Sequence, residues 1–246
     1  MSPNTWTADG PSSRRALPTS ARAARRCSTL ANLAGTSAGL ISLSRSVVEK
    51  AASEGTRLPP LTPEDFDEQI GRKTFTNEKD DHPLCKRLYR QAFNDRLSNI
   101  TLLKMNSLRW GDADGEQLAK VIRTGVLSQV RVFSLHTNRF GGRALQHLAA
   151  AITVDTVPNL RHLKLGGNPF GDEGAIALAS TIGASQTPLL ERLDIRNSDI
   201  GQEGLAALAA SFRRDTTPNL REAIAKKNKA DDEIVKSALL ALSDVA

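Results

Sequence analysis

Four histidines, His82, His136, His147 and His162, and two cysteines, Cys27 and Cys85, are the side chains best suited to proton transfer, metal binding or nucleophilic attack. Asp80-Asp81-His82 places three potential metal ligands side by side, but contiguous ligands without a second cluster at helical or turn spacing make a poor cage, and a polar loop is expected instead. The cysteines are far apart in sequence and form neither a disulfide framework nor a C-x-x-C metal pair, which fits a reducing compartment. Cys85 lies beside Leu84 and Leu88 and reads as a small packed hydrophobe. Neither a Gly-rich phosphate loop nor H-E-x-x-H occurs, so neither that kind of nucleotide site nor that kind of zinc site is expected.

What would place these groups is a repeat. Five blocks start at Ile100, Val130, Leu160, Leu190 and Leu220 and carry the same residue types at the same offsets, the signature of a solenoid. In the third block Leu163 and Leu165 alternate like a strand with one buried face, and Leu178 and Ile182 follow at the spacing of a helical stripe. Neither element could bury its apolar side alone, so the units must stack, strands in a parallel sheet and helices in an outer layer. The expected inward strand columns are Leu103, Phe133, Leu163, Leu193, Ala223 and Met105, Leu135, Leu165, Ile195, Ala225. Leu118, Leu148, Leu178, Leu208, Ala238 and Ile122, Ile152, Ile182, Phe212, Leu242 should face them from the helices.

Two further columns read as structural. Asn138, Asn168 and Asn228 follow the strands, where a buried amide can satisfy backbone groups leaving the sheet, and Leu108 and Ser198 interrupt the ladder. Gly111, Gly141, Gly171 and Gly201 precede the helices, where a positive backbone angle is expected, and Asp172 and Glu173 then meet the helix dipole. In the last block Ala223, Ala225 and Ala230 replace larger residues, as in a terminal capping unit.

Residues 1–60 hold eight of the Lys and Arg and three of the Asp and Glu, whereas 61–246 are nearly neutral, which argues against nucleic acid as the partner of the repeats. Residues 1–60 read as a disordered basic tail, or, over the Arg-rich and Ser-rich stretch 1–48, as an organelle transit peptide. A short helix fits 46–54, and the Pro59, Pro60, Pro63 cluster a linker. Residues 61–99 should form that linker and a helical cap, with Thr62 and Pro63 opening one helix, Asn77–His82 a loop, and 83–95 the helix that shields the first repeat. No apolar run of about 18 residues is present, so a spanning helix is not expected. The expected location is cytoplasmic, or plastid or mitochondrion if 1–48 are a transit peptide.

The string Leu160-x-x-Leu163-x-Leu165-x-x-Asn168-x-Phe170-Gly171-Asp172-Glu173-Gly174-Ala175-x-Ala177-Leu178-Ala179 resembles leucine-rich repeats of the ribonuclease-inhibitor type, as in Ran GTPase-activating proteins, tropomodulins and NOD-like receptors. The resemblance covers residues 100–246 and implies an α/β horseshoe, strands on the concave face and helices on the convex one, without cofactor or metal. It implies protein binding on the concave face. Carried onto this sequence, the residues there are Lys104, His136, His162, Lys164, Arg192, Asp194, Arg196 and Lys226, with their strand neighbours a mildly basic surface suited to an acidic protein partner. His136 and His162, on neighbouring strands with Asp194 further along, are read as partner contacts rather than as a catalytic or metal group, because a repeat array juxtaposes polar pairs by construction. The expected function is a non-enzymatic interaction module, with small-GTPase regulation and actin-cytoskeleton association as alternatives.

Overall fold

Leu163 and Leu193 are partners on adjacent parallel strands, and solvent reaches neither. The computed structural model describes residues 58–75 and 78–243; the expected basic tail, the short helix at 46–54 and Cys27 lie outside the described residues. The chain runs α1 (Pro63–Gly71), α2 (Glu78–Leu97), β1 (Leu102–Lys104), α3 (Asp112–Arg123), β2 (Val132–Ser134), α4 (Gly142–Ala151), β3 (His162–Lys164), α5 (Gly171–Gly183), β4 (Arg192–Asp194), α6 (Gln202–Ser211), β5 (Glu222–Ile224) and α7 (Glu233–Ser243). The five strands form one parallel sheet in sequence order, each paired with a shift of one block length, Leu102 with Val132, Val132 with His162 and so on to Glu222.

Both inward strand columns and both helix columns meet in one hydrophobic cluster, in which Phe133, Leu163, Leu193, Leu178 and Ile182 are shut off from solvent. Each such side chain contributes about 2 kcal/mol of burial. The columns thin out at the last unit, where Ala223, Ala238 and Leu242 are only partly buried. Glycines allow the helices of successive units to close on one another: a Cβ on Gly115 would stand 2.6 Å from the Ala144 Cβ, and one on Gly204 would stand 2.5 Å from Asp172 Oδ1.

At the N-terminal end Thr62 caps α1 by accepting a hydrogen bond from the Asp65 amide at 3.1 Å, and Pro63 occupies the first turn, as the sequence predicts. Phe66, Ile70, Tyr89 and Phe93 of α1 and α2 enter the same cluster as Leu103, and Phe66 stacks on Tyr89 with ring centroids 3.8 Å apart. Burial pushes the Tyr89 hydroxyl up to about 12, and the hydroxyl donates to the Leu61 carbonyl at 2.9 Å. Gln117 of α3 donates to Asp65 Oδ2 at 3.0 Å, joining this end to the first repeat.

Two expectations are corrected here. The segment expected as a loop before Pro83 is helical from Glu78, so Pro83 lies inside α2 rather than at its start. Asp80 and Asp81 in the first turns favour the helix dipole, and His82 ties the turn down by a 3.0 Å contact with the Lys73 carbonyl and an edge-on ring contact with Phe75. Cys85 is fully buried, as a small core residue, but it is disulfide-bonded, not the reduced thiol that two distant cysteines suggested.

Candidate functional site

The turn that follows each strand fixes the end of the strand face, and the asparagine column builds that turn. Asn138 Oδ1 accepts from the Leu108 and Trp110 amides of the preceding unit, while its Nδ2 donates to the Met105 carbonyl at 2.8 Å and to Leu135 in its own unit at 3.0 Å. Asn168 does the same between the second and third units, and Asn228 between the fourth and fifth. Each amide therefore makes three hydrogen bonds to the preceding unit and one within its own, more than the local role expected of it.

The break at Ser198 has a visible consequence. Without an amide oxygen from the fourth unit, the Phe170 amide bonds instead to the Asn168 carbonyl and the Gly171 amide to the Ser198 carbonyl. The chain then needs a left-handed residue, and Gly171 has φ +59°. Gly111, Gly141 and Gly201 have negative φ, so the expected positive angle is wrong for three of the four glycines. At Gly201 the reason is proximity: a Cβ there would lie 2.8 Å from Asp172 Oδ2. That carboxylate accepts from the Gly201 and Gly204 amides, both at 2.8 Å, so Asp172 caps the helix of the next unit while lying in the first turn of its own. Asp112 caps α4 in the same way through Gly141 and Ala144.

On the strand face the residues singled out from the sequence separate into two groups. Asp194 is 3% exposed, although its column was expected to face solvent, and Ser134 in that column is also buried. Arg196 wraps Asp194 with Nε at 2.9 and 3.1 Å and Nη2 at 2.7 Å. Burial alone would raise the Asp194 carboxyl; these bonds and the Arg196 charge outweigh it and hold it below the ordinary aspartate range. His136 approaches from the other side, its Nε2 at 3.6 Å from Asp194 Oδ2 and its Nδ1 at 3.2 Å from the Gly166 carbonyl. Gly166 makes room for this cluster, since a Cβ there would meet Arg196 Cγ at 2.9 Å and Asp194 Oδ1 at 3.1 Å.

Arg192 pairs with Glu222 at 3.0 Å, and His162 Nε2 lies 3.6 Å from Glu191, which also holds Arg161. His136 and His162 are thus not brought onto one carboxylate: one faces Asp194 and the other Glu191. Of the basic residues singled out on the strand face, Lys104 and Lys164, two strands apart in the same column, and Lys226 beyond the last strand have no ion pair among the described residues. Lys104 and Lys226 are exposed and Lys164 is half-buried.

That the missing side chain of Gly166 seats Arg196 escaped notice in the sequence; the paired glycines 166–167, where neighbouring units carry side chains, were the signal. Gly35-Thr36-Ser37-Ala38-Gly39, a match to the G-x-S-x-G pattern, also escaped notice. Those residues lie outside the described residues. Among the described residues Asp231, Asp232 and Glu233 are close enough to share a cation, but Lys236 already binds Asp232 at 2.8 Å and Glu233 at 2.6 Å.

A parallel sheet of sequence-ordered strands, a helix after each strand and a buried asparagine ladder define a leucine-rich repeat solenoid. The leucine-rich repeat family model matches residues 158–179 and 188–209, within the third and fourth units. Among solved structures the chain is similar to "Leiomodin-1 Actin-Binding Site 2 (ABS2)", at 13% identity and a TM-score of 0.49 over 63% of this chain and 87% of that one. No curated protein sequence matches the chain. Among the described residues no helix is long and apolar enough to cross a membrane.

Proposed function

We propose that the chain is a non-enzymatic protein-interaction module of the ribonuclease-inhibitor type, which presents its strand face to an acidic protein. The helix-forming second half of each unit, a full helix from Gly171 to Gly183 in the third, supports that subtype. Leucine-rich repeat domains generally bind proteins, and a rigid sheet with side chains at fixed strand spacing suits a flat macromolecular contact better than a small molecule.

The observation that carries the reading is the charge left after internal pairing. Of the strand-face cations singled out from the sequence, Arg192 and Arg196 are occupied by Glu222 and Asp194, whereas Lys104, Lys164 and Lys226 have no ion pair among the described residues. Lys104 and Lys164 are separated by β2, so their backbones stand about 10 Å apart, and the partner's carboxylates should match that spacing. Arg196, fixed by Asp194, adds a guanidinium held in one orientation for a hydrogen-bonded contact. Affinity capture with the full chain and its Lys104→Glu/Lys164→Glu variant tests the reading: partners should be acidic and should be lost from the variant, and equal capture by both would refute it.

A further inference from the structure

The last helix carries large apolar side chains where its counterparts carry small or polar ones. Leu240 occupies the column of Lys120, Ala150, Ser180 and Ala210, all exposed to solvent, and Leu239 the column of Ala119, Ala149, Ala179 and Ala209. Repeat stacking does not explain Leu240, which is 60% exposed. Beside it runs a groove of about 860 Å³ whose apolar lining comes from Leu239, Leu240 and Leu242 of α7 and from Pro218 and Leu220 ahead of β5. The charged side chains of the lining are Arg214, Arg221 and Lys236, with no carboxylate among them. Arg214 donates to the Leu242 carbonyl at 2.9 Å, Lys236 is held by Asp232 and Glu233, and Arg221 has no ion pair among the described residues.

We infer that this groove is a second docking site, separate from the strand face, and that its occupant is an amphipathic acidic helix of another protein. An apolar floor lined by Arg214, Arg221 and Lys236, of which Lys236 is already paired with Asp232 and Glu233, fits a helix with leucine-type residues on one stripe and carboxylates beside it. The lattice of helix on helix already present, α6 against α7, shows the packing that such a partner would continue. A second copy of this chain is a poor occupant, because a two-fold contact would set the Arg214, Arg221 and Lys236 rims against each other. The chain's own N-terminal segment is also basic, with eight Lys and Arg to three Asp and Glu in residues 1–60, and carries the wrong sign.

The test is fluorescence anisotropy on the full chain with a labelled peptide of about 14 residues, roughly four helical turns, with Leu at i, i+3, i+4 and i+7 and Glu elsewhere. A matched peptide with Lys in place of Glu is the charge control. The Glu peptide should bind, and the Lys peptide, Leu240→Asp and Arg221→Glu should each weaken binding about tenfold. Both substituted positions are exposed, and circular dichroism checks that the variants fold. Lys104→Glu/Lys164→Glu should leave this binding unchanged, which separates it from the strand-face proposal. The inference is overturned by failure of the Glu peptide to bind, by equal binding of the two peptides, by loss of binding in the strand-face variant, or by a dimer in sedimentation that Leu240→Asp dissociates.

Discussion

His136 Nε2 and Asp194 Oδ2 lie 3.6 Å apart although β3 separates their strands, β2 and β4. They meet over Gly166, where a side chain would collide with Asp194 and with Arg196. The centre of the strand face is therefore a polar cluster that holds Arg196 in one orientation while burying the carboxylate that balances it.

Asp194→Asn tests that cluster by pH. The folded Asp194 carboxyl titrates below its ordinary value of 3.8, so its contribution is fully present above that value and is lost as pH falls through the lower, folded one. The variant should be less stable than wild type by about 1–2 kcal/mol at neutral pH, a modest figure because Arg196 is half exposed. The gap in urea denaturation midpoints should close as the pH is lowered below 3.8. A gap that persists unchanged in acid would mean the charge contributes nothing.

Gly166→Ala should disturb the same cluster without removing a charge. The added methyl would meet the Arg196 carbonyl at 3.1 Å as well as its flexible side chain, so the strand must shift. A loss of about 1–2 kcal/mol is expected. In the helix layer Gly204→Ala, with a 2.5 Å clash against Asp172 Oδ1, should cost about 2–3 kcal/mol. Gly111→Ala, where nothing stands within 4 Å and φ is negative, should fall within about 0.5 kcal/mol of wild type.

Much of the fold is legible in the sequence because its signals are periodic: Leu163 and Leu193 recur in one column, and a column of apolar residues leaves little choice of register. The asparagine column could be read for the same reason. What escaped is whatever depends on side-chain trajectories between units. Asp172 reaches forward to cap the next helix, which no intra-unit pattern announces, and that reach, through the space a Cβ would fill, is what calls for glycine at Gly201, whose φ is negative. The mildly basic face counted from composition is largely self-neutralised, because Glu222 and Asp194 lie against Arg192 and Arg196. The helix over 83–95 was expected to follow a polar loop, yet the helix already runs from Glu78, and the missing amide of Pro83 is tolerated within α2.

Asn168→Ala should be among the most damaging polar substitutions. It would leave the Leu165 carbonyl and the Asn138 and Phe140 amides without a side-chain partner in a buried turn, and the Leu135 carbonyl with Asn138 alone, a loss of about 3 kcal/mol. Asn228→Ala, in the partly exposed last unit, should cost about half as much. Denaturation of the two variants side by side checks the order, and equal losses would contradict the account of the ladder.

Affinity capture followed by mass spectrometry, with the full chain and a Lys104→Glu/Lys164→Glu/Lys226→Glu variant of unchanged circular dichroism, tests the central claim most directly. The account predicts that the wild type retains one or more acidic proteins in a salt-sensitive manner and that the variant retains none of them. Capture of the same proteins by both would show that the unpaired lysines of the strand face do not bind the partner.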